Sequence, residues 1–330
     1  MKRNYYIFKS GELHRKDNTI QIIFDGNEKK SIPIEDVDSL YIMGEDTLNT
    51  KFINFVASKG VVLHFFNYYG FYTGSFYPKE QLNSGMLLVK QVEYYSNKQQ
   101  RIYLAKEILK AGSYGIYRNL RYYNERGKDL AEEIKAINSL RESLEKQDEI
   151  TKIMGVEGNI RERYYRGFDK IVNQEINFEA RVKRPPDNMI NSMISFVNTL
   201  IYTTVLSEIY HTQLSPLISY LHEPGTRRFS LSLDIAEIFK PLIGDRLIFS
   251  LLNKNQITEK DFEKDLNYLY LKDNARKVIL QEYDQKLNTT IRHRDLKKNV
   301  SYRYLIRLEL YKLVKHLIGE KDYEGFKIWW

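Results

Sequence analysis

Between Met1 and about Pro78, apolar residues come in short runs separated by turn pairs. Tyr5-Tyr6-Ile7-Phe8 is followed by Asp17-Asn18, and Thr19 to Phe24 ends at Asp25-Gly26-Asn27. Runs rich in β-branched and aromatic residues, bounded in this way, predict strands. Lys30 to Ile34, Ser39 to Met43, Val61 to Phe66 and Phe71 to Tyr77 read likewise. Phe52, Phe55 and Val56 keep helical spacing instead, so Leu48 to Lys59 predicts one helix that closes at Gly60. Past a Pro/Asn/Ser/Gly-containing stretch at Pro78 to Gly85, the period becomes helical. Val89 to Gly127 is a long basic segment rich in tyrosine, with a candidate break at Gly112 to Gly115. Leu130, Ile134, Ile137, Leu140 and Leu144 mark a further helix within Asp129 to Gln147. Thr151 to Asn177 continues as helix, Arg184-Pro185-Pro186-Asp187 interrupts, and helices follow from about Asn188. The pattern predicts an α+β fold with segregated parts. A small β-rich domain spans residues 1–85 and suits dimerisation; a larger all-α domain spans 86–330.

Composition narrows the chemistry. The chain has no cysteine, which excludes disulfides, thiolate-bound zinc, iron–sulfur clusters and cysteine nucleophiles. That fits a reducing cytoplasm. The N-terminus carries basic residues but no apolar run ending in small residues, so no signal peptide is expected. Nor does any stretch read as the ~18 apolar residues of a membrane span. Lys+Arg 51 against Asp+Glu 43 gives a formal charge of +8, which favours nucleic acid or another acidic partner. Many of the 26 tyrosines stand beside cations, as in Tyr117-Arg118, Arg121-Tyr122-Tyr123 and Arg163-Tyr164-Tyr165. Such interleaving suits phosphate contact with base stacking. Half-buried helix tyrosines with wet hydroxyls give the same pattern.

The chemistry concentrates in Leu221 to Pro241, LHEPGTRRFSLSLDIAEIFKP. Asp234 and Glu237 are three apart and share one helix face. His222 precedes them by a loop containing Pro224 and Gly225, long enough to fold back over that face. A histidine meeting carboxylates beside arginines points to a divalent metal acting on a phosphate. Read alone, an Asp/Glu pair at this spacing is more often a surface face or an acidic first turn capped by Ser230 or Ser232. His14, His64, His211, His293 and His316 have no partner pattern and read as structural.

Two further segments precede this one. Met154-Gly155-Val156-Glu157-Gly158-Asn159-Ile160-Arg161 ends in Tyr164-Tyr165, and Arg184-Pro185-Pro186-Asp187 is followed by Asn191 and an apolar helix. In this order, behind a β-rich N-terminal domain, the three resemble the CRISPR adaptation integrase, the universal spacer-acquisition family of CRISPR systems. The resemblance covers nearly the whole chain. It implies three metal ligands, at Glu157, His222 and Glu237, with Asp234 as a neighbouring acid in the catalytic group. Glu237 stands where many relatives have aspartate, one methylene shorter. Two carboxylates and an imidazole suit Mg2+ or Mn2+ better than structural zinc.

The implied reaction is attack of a spacer precursor's 3′-OH on a phosphodiester of the repeat DNA. DNA cleavage follows when water replaces the hydroxyl. Arg161, Arg163, Arg184, Arg227, Arg228 and Lys240 are the candidate DNA contacts. The implied partners are double-stranded DNA (prespacer and CRISPR repeat), a second copy forming a homodimer, and the small CRISPR adaptation partner protein; the implied location is the cytoplasm. Two rival readings are a repair or recombination nuclease that integrates nothing, and a non-catalytic nucleic-acid scaffold.

Overall fold

The computed structural model describes residues 2–24, 26–79, 82–176, 178, 180–182, 186–226, 229–265 and 268–329. The chain divides into two compact units, Met1–Gln81 and Leu82–Trp330. The expected boundary at 85/86 thus falls four residues late, because the segment ahead of the first helix belongs to the second unit.

The first unit holds two four-stranded sheets and a helix. One sheet has the order β1 (Arg3–Ile7), β5 (Val37–Ile42), β7 (Val62–Phe66), β8 (Tyr72–Phe76). Its first three strands are parallel and β8 returns antiparallel. The other has the order β4 (Lys29–Pro33), β3 (Thr19–Phe24), β2 (Gly11–Lys16), β6 (Thr47–Leu48). Leu13, Ile20 and Ile22 of the second sheet meet Leu40, Ile42 and Leu63 of the first in one core. Phe52, Phe55 and Val56 of α1 (Thr50–Ser58) enter the same core, and Asn49 caps this helix by accepting the Phe52 N–H at 2.9 Å. Strand β2, sequence GELHRK, escaped the pattern reading because only Leu13 is buried. Its strand character comes from pairing with β3, Leu13 opposite Ile22.

The second unit is built on helices: α2 (Gly85–Ser96), α3 (Lys98–Asn124), α4 (Ala131–Ser143), α5 (Ile150–Arg166), α6 (Phe168–Ile171), α7 (Met189–Tyr210), α8 (Ser230–Phe239), α9 (Arg246–Asn253), α10 (Asp273–Asn288) and α11 (Tyr302–Leu317). Two short hairpins interrupt the expected all-α character: β9 (Phe262–Asp265) with β10 (Tyr268–Leu271), and β11 (Thr290–Arg292) with β12 (Asn299–Ser301).

The long basic segment breaks at Asn97, which caps α3 by accepting from Gln99 and Gln100 N–H at 3.1 Å each. It does not break at Gly112 to Gly115, which lie inside α3. Those glycines serve packing. A Cβ at Gly112 would stand 2.8 Å from the Glu237 carbonyl oxygen, and one at Gly115 would stand 3.1 Å from Pro241 Cβ. Their bare backbone lets α3 lie directly on α8 and the segment after it. The helix expected over Thr151 to Asn177 stops at Arg166, and α6 follows.

Helix α7 is long and apolar enough to cross a membrane, contrary to the sequence reading, and 78% of its apolar window is buried within the protein. Asn, Ser and Thr scattered through α7 disguised that apolarity. The burial makes it the central core helix of this unit.

Candidate functional site

Helix α8 carries the densest chemistry of the second unit. It begins at Ser230 and runs into a π-helical stretch, Lys240–Asp245, which leads into α9. Pro241 has no N–H to donate, and a π-helical turn accommodates that break in the ladder. Its own carbonyl accepts from Asn119 Nδ2 of α3 at 2.8 Å. Neither Ser230 nor Ser232 caps α8: their hydroxyls donate to the Leu217 and Phe229 carbonyls.

Asp234 and Glu237 are not a solvated surface face. Asp234 is 0% exposed, and both its oxygens are engaged. Oδ2 accepts the Tyr220 and Leu221 N–H groups at 2.7 and 2.9 Å. Oδ1 accepts the His222 N–H at 3.0 Å and pairs with His222 Nδ1 at 2.7 Å. Asp234 therefore holds the loop and fixes the ring: in the neutral imidazole, the bond to the carboxylate places the proton on Nδ1 and leaves the lone pair on Nε2. Burial alone would lower the His222 pKa, but the bond to Asp234 and the Asp234 and Glu237 charges outweigh it, and the net shift is upward. The loop is stapled elsewhere too. Ser219 Oγ donates to the His222 carbonyl at 2.6 Å, and Arg101 bonds the Tyr220 carbonyl at 3.0 Å and Glu223 at 2.6 Å.

Glu237 faces a different set of groups. It accepts from the Arg161 guanidinium of α5 and from Lys240 one turn later. Arg161 also donates through Nε to Glu157 Oε1 at 3.3 Å. Glu157 and Glu237, far apart in sequence, thus converge on one cationic group. Burial would raise the Glu237 carboxyl, but the Arg161, Lys240 and His222 charges hold it well below the usual carboxylate range.

Among the described residues, no three His, Asp or Glu side chains stand together as a ready metal cage. The Arg161 guanidinium lies between the two glutamates instead. The donors still fit a hard divalent cation. Two carboxylates already share one positive charge, and a tautomer-fixed imidazole bears electrostatically on the same Glu237.

The family profile described as CRISPR associated protein Cas1 matches residues 5–285. The chain belongs to the Cas1 family. A relative from Fusobacterium nucleatum subsp. nucleatum, named CRISPR-associated endonuclease Cas1, is 60% identical over 330 residues, covering 100% of this chain and 98% of its own. The solved structure of a Cas1 protein from Thermotoga maritima superposes with a TM-score of 0.88 at 42% identity, over 98% of this chain and 100% of that chain. A casposase bound to integration product shares the fold, with a TM-score of 0.86 at 23% identity over 98% and 92% of the two chains.

Against this Cas1 fold, the remaining sequence-named residues divide. Arg163 is exposed on α5. Arg184, Arg227 and Arg228 lie outside the described residues. Of the Arg-Pro-Pro-Asp element, Asp187 accepts from Asn191 Nδ2 at 2.7 Å at the entry to α7.

Sequence reasoning missed Asp245 and Asn119. Asp245 is buried, its Oδ2 has no hydrogen-bond partner, and it bears on both Arg161 and Glu237. Burial pushes its carboxyl up to about 6, against the Arg161 charge and a bond from Tyr164. Asn119 donates to the Tyr164 hydroxyl at 3.0 Å and accepts from Arg246 Nε at 2.7 Å. A buried polar chain of α3, α5 and α9 residues thus backs the site. No local motif marks these residues; only a polar residue inside an otherwise apolar stretch hints at them.

Proposed function

We propose that this Cas1-family chain is a divalent-metal-dependent DNA endonuclease and strand-transfer enzyme of CRISPR adaptation, using Mg2+ or Mn2+. Glu157, His222 and Glu237 would hold the ion, and Asp234 positions His222 rather than binding metal. The observation that carries the reading is the convergence of Glu157 and Glu237 on one cationic group beside a histidine fixed by a buried aspartate. When bound, the ion supplies positive charge for a phosphodiester and lowers the pKa of a coordinated hydroxyl. The chain's own residues do the rest. Asp234 keeps the His222 ring oriented, so that Nε2 and not Nδ1 is the nitrogen turned away from the carboxylate. Arg161 and Lys240 are rich in donors, and their N–H groups would serve phosphate oxygens of a bound DNA strand.

The reading extends to assembly. The N-terminal unit forms a homodimer contact, the small adaptation partner Cas2 bridges two such dimers, and the complex works in the cytoplasm on prespacer and repeat DNA. Family membership and full-length identity to a named Cas1 endonuclease support the CRISPR setting of this assembly.

One incubation tests the chemistry: protein, magnesium, a duplex with free 3′-OH ends and a supercoiled plasmid bearing the repeat. The expected product is plasmid covalently joined to the duplex, absent with EDTA. Glu157→Ala, His222→Ala and Glu237→Ala should each abolish joining while retaining DNA binding. Cleavage without joining would favour a repair nuclease. Joining that survives EDTA or the three substitutions would overturn the site.

A further inference from the structure

The segment after α11, residues 318–329, takes no part in the Glu157–His222–Glu237 centre, yet much of it is buried against α3, α8 and α11. Tyr323, Gly325, Phe326 and Ile328 are buried, whereas Glu324 and Lys327 between them face solvent. Residues 322–329 form neither helix nor strand, so their buried main-chain groups need side-chain partners. They have them. Tyr323 N–H donates to His316 Nδ1 at 3.2 Å, and the Tyr323 carbonyl accepts from the Tyr103 hydroxyl at 2.8 Å. Lys312 Nζ donates to the Glu324 carbonyl. Gly325 N–H donates to Glu107 Oε2 at 3.3 Å, and Phe326 N–H to Glu309 Oε1 at 3.0 Å. The Tyr323 hydroxyl donates to the same Glu309 oxygen at 2.6 Å.

Glu107 of α3 and Glu309 of α11 are buried carboxylates with no task in the site itself, Glu309 being 1% exposed. Such a group costs stability unless it is paired and hydrogen-bonded. Lys110 and Lys312, three residues on along each helix, meet the charges. The other bonds these carboxylates accept come from Tyr323, Gly325 and Phe326. Burial and the Glu309 charge raise the Tyr323 phenol well above its usual range, with smaller contributions from Glu107 and Asp234, so the hydroxyl stays a donor.

The segment meets α8 through one ring. Phe326 stacks on Phe239, the last residue of α8, with centroids 5.6 Å apart and planes inclined at 21°. Trp329 meets Phe326 edge-on at 5.6 Å. Gly325, one residue earlier, lies directly on α3: a Cβ there would overlap the Glu107 carbonyl oxygen and stand 2.7 Å from Ala111 Cβ. The next residue of α3, Gly112, is the one on which the Glu237 carbonyl rests. The last turn of α8 is therefore bracketed. The α3 backbone meets it at Glu237, and Phe326, anchored to the same stretch of α3, meets it two residues later at Phe239.

We infer that Tyr323 and Phe326 are positioning residues for Glu237, setting where the last turn of α8 stands against α3. Neither touches the reacting groups. Tyr323 fixes the segment through Glu309, and Phe326 transmits that placement to α8 through Phe239. Supporting residues of this kind hold a site to fractions of an ångström, and a displacement of about 1 Å can cost ~10²-fold in rate. The consequence for turnover rests on the strand-transfer reading; the consequence for α8 does not.

Full-length Phe326→Ala, Phe326→Leu and Tyr323→Phe are compared with the parent in two ways. The first is amide hydrogen exchange in metal-free protein. Phe326→Ala should speed exchange at the Ile238, Phe239 and Lys240 amides by about tenfold or more, while the amides of α7 keep the parent's rates. Phe326→Leu refills most of the space and should restore slow exchange. The second is steady-state strand transfer with magnesium. In Phe326→Ala, kcat should fall by roughly 10–100-fold with KM for the duplex unchanged, and Phe326→Leu should recover it. Tyr323→Phe keeps the ring and removes only the hydroxyl that bonds Glu309, so it gives both readouts at smaller size should Phe326→Ala fail to fold. A parent that joins nothing would sink the strand-transfer reading, and faster exchange confined to the end of α8 would still support the positioning role. Unchanged exchange at residues 238–240, or an acceleration shared equally by α7, would overturn it. So would a raised KM at constant kcat.

Discussion

Asp234 offers the most direct test of how the site is held together. Its carboxylate accepts three backbone N–H groups at 2.7–3.0 Å and the His222 ring at 2.7 Å, with no exposure to solvent. Asp234→Ala orphans those donors. At ~1–3 kcal/mol for each buried donor left without a partner, the expected loss is about 3–5 kcal/mol, the size seen when one member of a buried pair is removed. At roughly 2–4 °C per kcal/mol for a domain of this size, the melting temperature should fall on the order of 10 °C. Asp234→Asn keeps the shape and one accepting oxygen, so it should fold, but its NH2 meets a donor and the His222 tautomer is no longer fixed.

The assay is hydrogen exchange at the Tyr220, Leu221 and His222 amides, with thermal melting alongside, in metal-free protein. Those three amides should exchange much faster in Asp234→Asn while the amides of α7 stay protected. The pH dependence adds a second readout. The folded His222 pKa is raised, so its contribution is fully present below the unfolded value of about 6.5 and is lost as pH rises through the folded value. The stability gap between parent and Asp234→Asn should therefore narrow from pH 6 toward pH 9. Unchanged exchange at Tyr220 and Leu221 together with an unchanged melting temperature would refute the claim that this carboxylate holds the loop.

Three other predictions concern packing and charge around the site. Gly112→Ala places a methyl 2.8 Å from the Glu237 carbonyl oxygen, so α3 and α8 must separate, at about 1–3 kcal/mol, measurable by urea melting. Gly155→Ala and Gly158→Ala meet nothing within 4 Å and should instead stabilise α5 by about 0.5–1 kcal/mol; destabilisation by either would show that their surroundings are filled. Asp245→Asn removes a buried acid whose pKa rises from 3.8 to about 6, a penalty absent below about pH 4 and complete above about pH 7. In metal-free protein it should gain up to about 3 kcal/mol at pH 7.5 and nothing near pH 4, and an equal gain at both pH values would assign the effect to packing instead.

The segregated α+β layout was legible because period and turn chemistry changed together near Pro78. Strand β2 was not, since a strand with one buried residue in six carries no alternation to read. Gly112 and Gly115 were legible as glycines and misread as a break. A glycine pair inside a helix looks the same in sequence whether it ends the helix or clears a path for another, and only the presence of α8 at 2.8 Å decides.

The candidate site divides the same way. Glu157, His222 and Glu237 could be named from motif order, yet the division of labour within the Asp/Glu pair could not. Both acids lie on the same helix, three residues apart. One turns to the backbone amides of the preceding loop and the other to a guanidinium on α5. That choice is made by the neighbours each carboxylate meets, and those neighbours are set by helix crossings between distant segments. Asp245 is the extreme case. It follows an apolar run with no motif around it, and it matters only because Tyr164 and Arg161, one turn apart on α5, both reach it. The charged side chains of a site can be read from sequence, but which of them share a counter-charge is a property of the packing. For this chain that packing rests on two glycines and one asparagine of α3.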